Sequence, residues 1–333
     1  MMNPEDFVVE QFSTHTVVLL GEMHYCKHDP ELVGRLIPRL VEADVWALGF
    51  EYARREDQPL IDRLLTQDFF DDSLARLILL KFLNWGYLEY LKIFRSAWDV
   101  NRTEPRFQIL GLNDSPNWGL LQSAEDWKNA ELRKAVWSGG GEALWAQVVL
   151  DEVRQGRKVL VYCGLNHAFP RYLHLEYDKD GCILGEREPT LGNYLYRELG
   201  DAVYSIALHC PWPSRKGYGR TPQVLPADGV LDERLSSERN VAFAVRGTRW
   251  GELTAKNSLY SLGCENLVLQ DLVDGYVYAK PFQEYESVTP IKDFIGSDNV
   301  EEARARASDF QLRTGSVEDF NTQSSRQTGR ESR

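Results

Sequence analysis

Two short stretches of this 333-residue chain combine side chains that exchange protons. The first is Gly21-Glu22-Met23-His24 and the second is Gly164-Leu165-Asn166-His167. Each sets a histidine three residues after a glycine, behind a run of apolar residues. Imidazole is the side chain best suited to taking and giving protons near neutral pH. A carboxylate can fix its tautomer and stabilise the imidazolium. Glu22 and Glu51 are available for that task. The four groups Glu22, His24, Glu51 and His167 are equally a donor set for a divalent transition metal with open positions for water. The residues leave both routes open: hydrolysis by a His24-activated water, or by a metal-activated one.

Such groups need elements to hold them. Val17 to Leu20 and Val159 to Cys163 read as short, fully buried strands, and Trp46 to Phe50 as a third that ends at Glu51. Continuous apolar runs of this length fit a parallel sheet covered on both faces. In open α/β sheets ligands bind beyond the carboxyl ends of the strands. The glycines are expected to let the backbone turn sharply there. Phe107 to Leu112 reads as a further strand, with Asn113 and Asp114 at the same edge, although Asn113-Asp114-Ser115-Pro116 is also strong turn chemistry. Tyr25, Arg54, Asn113, Asp114, Asn166 and Arg171 follow strand ends or adjoin the motifs, and are the candidate substrate contacts.

In order along the chain, the pattern predicts a helix over 30–41, a strand over 45–50 and a helix near 58–65. This β-α-β-α order favours a parallel sheet with right-handed connections. The fold class is therefore α/β, a mostly parallel central sheet flanked by helices. Residues 67–101 form a helical insertion rich in aromatic residues, either packed on the sheet or capping the strand ends as an apolar substrate wall. Helices are expected over about 124–137 and 142–155, a hairpin near 177–181, a helix over 190–199, a strand over 203–208 ending in His209, and a last strand over 275–282. Residues 212–228 read as a long loop. One domain spans 1–296, and the polar stretch 297–333 is expected to be largely disordered.

Composition narrows the functions. Hydrophobic residues are 43% and charged residues 26%, as in globular proteins. A formal net charge of -12 argues against nucleic acid as a partner and leaves a small molecule. The five cysteines are odd in number and form no C-x-x-C pair, which fits reduced thiols and a cytoplasmic location. Cys26 is the cysteine nearest a motif, and nothing beside it looks like a Cys-His dyad. No secretory signal and no apolar run of membrane-spanning length is visible. The G-x-S-x-G, H-E-x-x-H, Walker A and strand-following G-x-G-x-x-G signatures are missing, which lowers serine-elbow hydrolases, zincins, NTPases and dinucleotide enzymes. Oligomeric state is not legible.

Gly21-Glu22-Met23-His24, Glu51 and Gly164-Leu165-Asn166-His167, in this order and spacing, resemble the superfamily of erythromycin esterases, ChaN-like haem-uptake proteins, Tiki and TraB proteins. The segment Asp274-Gly275-Tyr276-Val277-Tyr278 resembles its final strand. The resemblance spans about residues 14 to 295. It implies a hydrolase with His24 as general base, Glu51 and Glu22 as its electrostatic partners, and His167 as a second proton-handling or metal-binding group. The substrate would be an ester, lactone or amide. The alternatives it implies are a metal-dependent, Tiki-like reaction, and haem binding through His24, His167 and Tyr25. The chain departs from ChaN-like lipoproteins in lacking an export signal, and from Tiki and TraB forms in lacking a membrane span. A scaffold without activity is the remaining reading.

Overall fold

The computed structural model describes residues 1–333 except 83, 138, 179–181, 217–222, 308–310 and 321–333. Its strands are β1 (Val17–Glu22), β2 (Ala47–Arg54), β3 (Gln108–Asn113), β4 (Val159–Gly164), β5 (Leu175–Tyr177), β6 (Ile183–Glu186), β7 (Val203–Leu208), β8 (Trp212–Pro213), β9 (Gln223–Val224), β10 (Val241–Ala244) and β11 (Gly275–Tyr278). The helices used below are α1 (Pro4–Gln11), α2 (His28–Glu42), α3 (Gln58–Thr66), α4 (Asp72–Lys81) and α5 (Leu88–Asn101). The class is α/β, with mostly parallel strands flanked by helices, as the sequence indicates. Two compact units divide the chain: residues 1–24 with 149–285, and residues 25–148 with 286–333.

In the first unit five strands lie in the order β10-β11-β7-β1-β4. All neighbours are parallel except β10 and β11. β1 is central because its residues are buried on both faces: Val17, Val18, Leu19 and Leu20 have no exposed surface. Each such side chain contributes roughly 1.5–3 kcal/mol relative to exposure. β10, from Val241-Ala242-Phe243-Ala244, is an antiparallel edge that the reading above did not include. The long loop after β7 contains the two-residue hairpin β8–β9. The hairpin expected near 177 exists as β5 and β6, and its turn at 179–181 lies outside the described residues.

In the second unit β2 and β3 run parallel. The helix predicted from 30–41 is α2, with Pro30 in its first turn and Leu32, Val33, Leu36, Ile37 and Leu40 buried. It packs on α5, which also meets α3. The insertion at 67–101 is α4 and α5. Phe82, Trp85, Tyr87, Tyr90 and Phe94 are core, whereas Phe69 is exposed: Trp85 stacks on Tyr52 in the carboxyl half of β2 with centroids 5.2 Å apart, and Phe94 meets Phe50 edge-on at 5.6 Å. One boundary differs from expectation. β2 does not end at Glu51 but continues through it to Arg54, with a register shift between Phe50 and Arg54. The reason is that Arg54 finds buried partners: its Nε and Nη2 donate to the two oxygens of Asp57 at 2.6 and 2.7 Å. The expected helix over 124–137 is likewise broken, into a 3-10 turn at Ala124–Lys128 and a helix at Ala130–Val136, because Asn129 caps the second piece.

Among its described residues, the stretch 297–333 includes local structure. A helix occupies Val300–Ala305, and Arg313 donates to the carbonyls of Leu121 and Trp118 at 2.6 and 2.9 Å. Phe320 is 5% exposed, so this segment buries enough to offset its ordering. Residues 308–310 and 321–333 lie outside the described residues. Phe320→Ala should lower stability by about 3 kcal/mol, measured by urea unfolding. An unchanged midpoint would contradict the docking of this segment.

Candidate active site

The site is built where β1 and β4 end side by side. Their parallel register pairs Gly21 with Cys163 and Glu22 with Gly164. The two glycine–histidine motifs are therefore neighbours, offset by one residue. Side chains two apart on a strand share a face. Glu22 and Leu20 share one face of β1, and Gly164 and Tyr162 the matching face of β4.

The Glu22 carboxylate is fully buried as a side chain and has a donor on each oxygen. His24 Nδ1 lies 2.7 Å from Oε1, and the Tyr162 hydroxyl donates to Oε2 at 2.7 Å. A carboxylate only accepts, so Nδ1 carries the proton and Nε2 is the basic atom of His24. The His24 side chain is 37% exposed, within reach of a ligand.

The motif glycines serve a different purpose from the sharp turn expected of them. Gly164 has φ -59° and ψ 144°, an ordinary conformation. A Cβ there would stand 3.0 Å from His24 Cε1 and 3.4 Å from His167 Cδ2. Both imidazoles thus close over one point that only hydrogen leaves open. A Cβ on Gly21 would lie 2.9 Å from the Cα of Leu165, so this glycine lets the two motifs approach. The left-handed residue of the loop is Tyr25, at φ 73°.

Around the second motif, Asn166 is held at both ends. Its Oδ1 accepts from the Tyr260 hydroxyl at 2.7 Å and its carbonyl from His174 Nε2 at 3.0 Å. Burial pushes the Tyr260 phenol well above its ordinary pKa, so it stays a donor. Tyr162, Tyr260 and His174 were absent from the sequence candidates. Tyr162 sits inside an apolar strand run, and its role follows from a register the sequence does not print.

Other candidates have structural partners. Arg171 donates to Asp274 Oδ1 at 2.8 Å and to the Gln270 carbonyl at 3.3 Å, and its guanidinium lies over the Tyr196 ring. In the second unit, Arg54 is tied to Asp57 and Ser115. Asp114 accepts from Arg55 at 2.8 Å. Burial raises the Asp114 pKa, opposed by the Arg55 charge. Asn113 Oδ1 accepts the Asp114 N–H, the turn chemistry of that sequence. Tyr25 stacks with Trp85 at 4.8 Å. Glu51 is 6% exposed within β2.

Residues 8–116 match the family model described as haem-binding uptake, Tiki superfamily, ChaN. The chain resembles the superfamily read from its motifs. Among solved structures it is similar to a mutant of the erythromycin esterase EreC in its open conformation, with TM-score 0.55 and 13% identity over 87% of this chain and 95% of that one. It is also similar to a succinoglycan biosynthesis protein, with TM-score 0.51 and 13% identity over 84% and 90%. The haem-binding ChaN of Campylobacter jejuni aligns at TM-score 0.39 and 15% identity, over 63% and 87%. No curated protein matches the sequence. At these identities the likeness is one of fold.

The donor chemistry bears on metal and haem. Among the described residues no group of three or more His, Cys, Asp or Glu side chains is arranged to hold a metal ion. The set therefore does not fit the usual three-residue catalytic centre. Imidazole is a haem-iron donor class, so His24 is of the right type for haem. Among the described residues no helix is long and apolar enough to cross a membrane.

Two substitutions separate the elements of this geometry. Tyr162→Phe leaves one Glu22 oxygen without its donor and should cost about 1–3 kcal/mol in unfolding experiments. Gly164→Ala places a methyl group against both imidazoles and should displace them, seen as altered histidine ring resonances in NMR spectra. Unchanged resonances for His24 and His167 would show that the rings do not share this point.

Proposed function

We propose that this protein is a hydrolase that uses a histidine-activated water on an ester, lactone or amide. The observation that carries the reading is the hydrogen-bonded series Tyr162–Glu22–His24, with His167 beside the same glycine. Glu22 holds the proton of His24 on Nδ1 and stabilises the imidazolium once Nε2 has taken a proton from water. The water adds to the carbonyl carbon. His167 is the second proton-handling group, suited to donating to the oxygen or nitrogen that leaves. Asn166, fixed by Tyr260 and His174, holds the backbone that carries His167. The resemblance adds Glu51 as a second carboxylate of the reaction. It also implies a metal-assisted variant, for which the described residues supply no group of three ligands. The substrate is a small molecule and the location cytoplasmic in this proposal.

A library of p-nitrophenyl esters, lactones and anilides, assayed with and without divalent metals, tests the reading. His24→Ala should lower kcat on whichever substrate is turned over by about 10²–10⁴-fold. The fold should persist, because a side chain 37% exposed carries little packing. Wild-type turnover in that variant would remove His24 from the role. Activity that survives exhaustive chelation would exclude the metal-assisted variant, and Glu51→Gln tests the second carboxylate.

Haem binding is the second reading, favoured by the family description matched at residues 8–116. Titration with haemin decides it. A Soret shift in the wild type that disappears in His24→Ala would support haem over hydrolysis, and the absence of any shift would remove this reading.

A further inference from the structure

A cavity of about 630 Å³ in the first unit is lined by Ser214, Arg215, Lys216, Val224, Asp228 and Asn257 among others. In a chain of net charge -12 its walls carry two adjacent cations. Among the described residues neither Arg215 nor Lys216 has a carboxylate partner. The acidic lining residue, Asp228, has both oxygens engaged, accepting from the N–H groups of Lys256 and Asn257 at 3.0 Å each. The cations are thus left to something else.

The frame of this cavity is tied to both motif loops. Gln223 on β9 meets Met23, the residue between Glu22 and His24, with Nε2 4.0 Å from the sulfur. Met23 and Val224 pack against the same apolar cluster. On the other side, the Arg215 N–H donates to the Asn257 carbonyl at 2.8 Å. Three residues further on, Tyr260 holds Asn166 of the second motif. The cavity is thus linked, through Gln223 on one side and the 257–260 segment on the other, to the loops that carry His24 and His167.

We infer that the Arg215–Lys216 cavity binds an anionic group of the substrate, a carboxylate or a phosphate, and that the hydrolysed molecule is acidic. The inference rests on the hydrolytic reading of the adjoining histidines. A guanidinium recognises either anion through paired N–H groups, and a neighbouring ammonium adds a point charge. In a protein of negative overall charge this local field gives an acidic substrate its binding energy and orientation.

Binding of probes that contain no ester or amide bond tests the cavity without turnover. Isothermal titration compares 4-phenylbutanoate and phenylphosphonate with the neutral 4-phenylbutan-1-ol. 4-Phenylbutanoate or phenylphosphonate should bind at least about tenfold more tightly than 4-phenylbutan-1-ol, and the advantage should shrink with added salt. The tighter of the two anions identifies the group. The advantage should vanish in Arg215→Gln/Lys216→Gln. Lys216→Glu, at an exposed position, should reverse it without disturbing the fold. Equal affinities for all three probes in the wild type, or an advantage that survives both variants, would overturn the inference. Failure of the hydrolytic reading shows separately, as absence of turnover of p-nitrophenyl hydrogen succinate and p-nitrophenyl butyrate alike.

Discussion

The buried carboxylate of Glu22 is the constraint on which the candidate site depends. An ionised carboxylate away from water is costly unless its oxygens are satisfied. Here one oxygen is satisfied by His24 and the other by Tyr162. The first bond fixes the imidazole's orientation and tautomer. The second fixes register, because Tyr162 reaches Glu22 only from the matching face of β4. A slip of one residue between β1 and β4 would turn Tyr162 to the opposite face and leave the carboxylate short of a donor. The β1–β4 register and the placement of Glu22 and His24 are thus linked through Tyr162.

Much of this was legible in the sequence. Apolar runs gave β1 and β4, the stripe from Leu32 to Leu40 gave α2, and the motifs gave Glu22, His24 and His167. The least legible features depend on register and on partners distant in sequence. Tyr162 looks like one more core residue until Gly164 is known to stand opposite Glu22. The glycines look like turn residues, yet a Cβ at Gly164 would press on the His24 ring at 3.0 Å and touch that of His167 at 3.4 Å. β2 was cut short because Glu51 and Arg54 look like loop residues. A charged side chain can continue a buried strand when its partner is supplied locally, and Asp57, three residues later, supplies it.

The polar residues near strand ends divide by what their hydrogen bonds satisfy. Arg54 with Asp57, Asp114 with Arg55, and Arg171 with Asp274 pair full charges. Asp274 also accepts the Ser205 N–H through its other oxygen, joining the start of β11 to β7. Removing one member of a buried pair leaves an uncompensated charge, at a cost of about 3–5 kcal/mol. Substitution at Arg54 or Arg171 would therefore lower stability. Loss of function at these positions says little about binding unless stability is measured beside it.

Exposure separates His24 from the carboxylate that supports it. Glu22 is inaccessible while the His24 side chain it holds is 37% exposed. This order suits a general base. The carboxylate lies where water cannot compete for its oxygens, so its bond to Nδ1 persists and its charge acts on the imidazole with little screening. The imidazole extends to where a water and a substrate can meet it. A carboxylate exposed in the same way would be solvated and would orient the ring poorly. A histidine buried as deeply would have no access to substrate. Glu22 is the last residue of β1 and His24 lies two residues beyond it, which sets the carboxylate in the sheet and the imidazole past its edge.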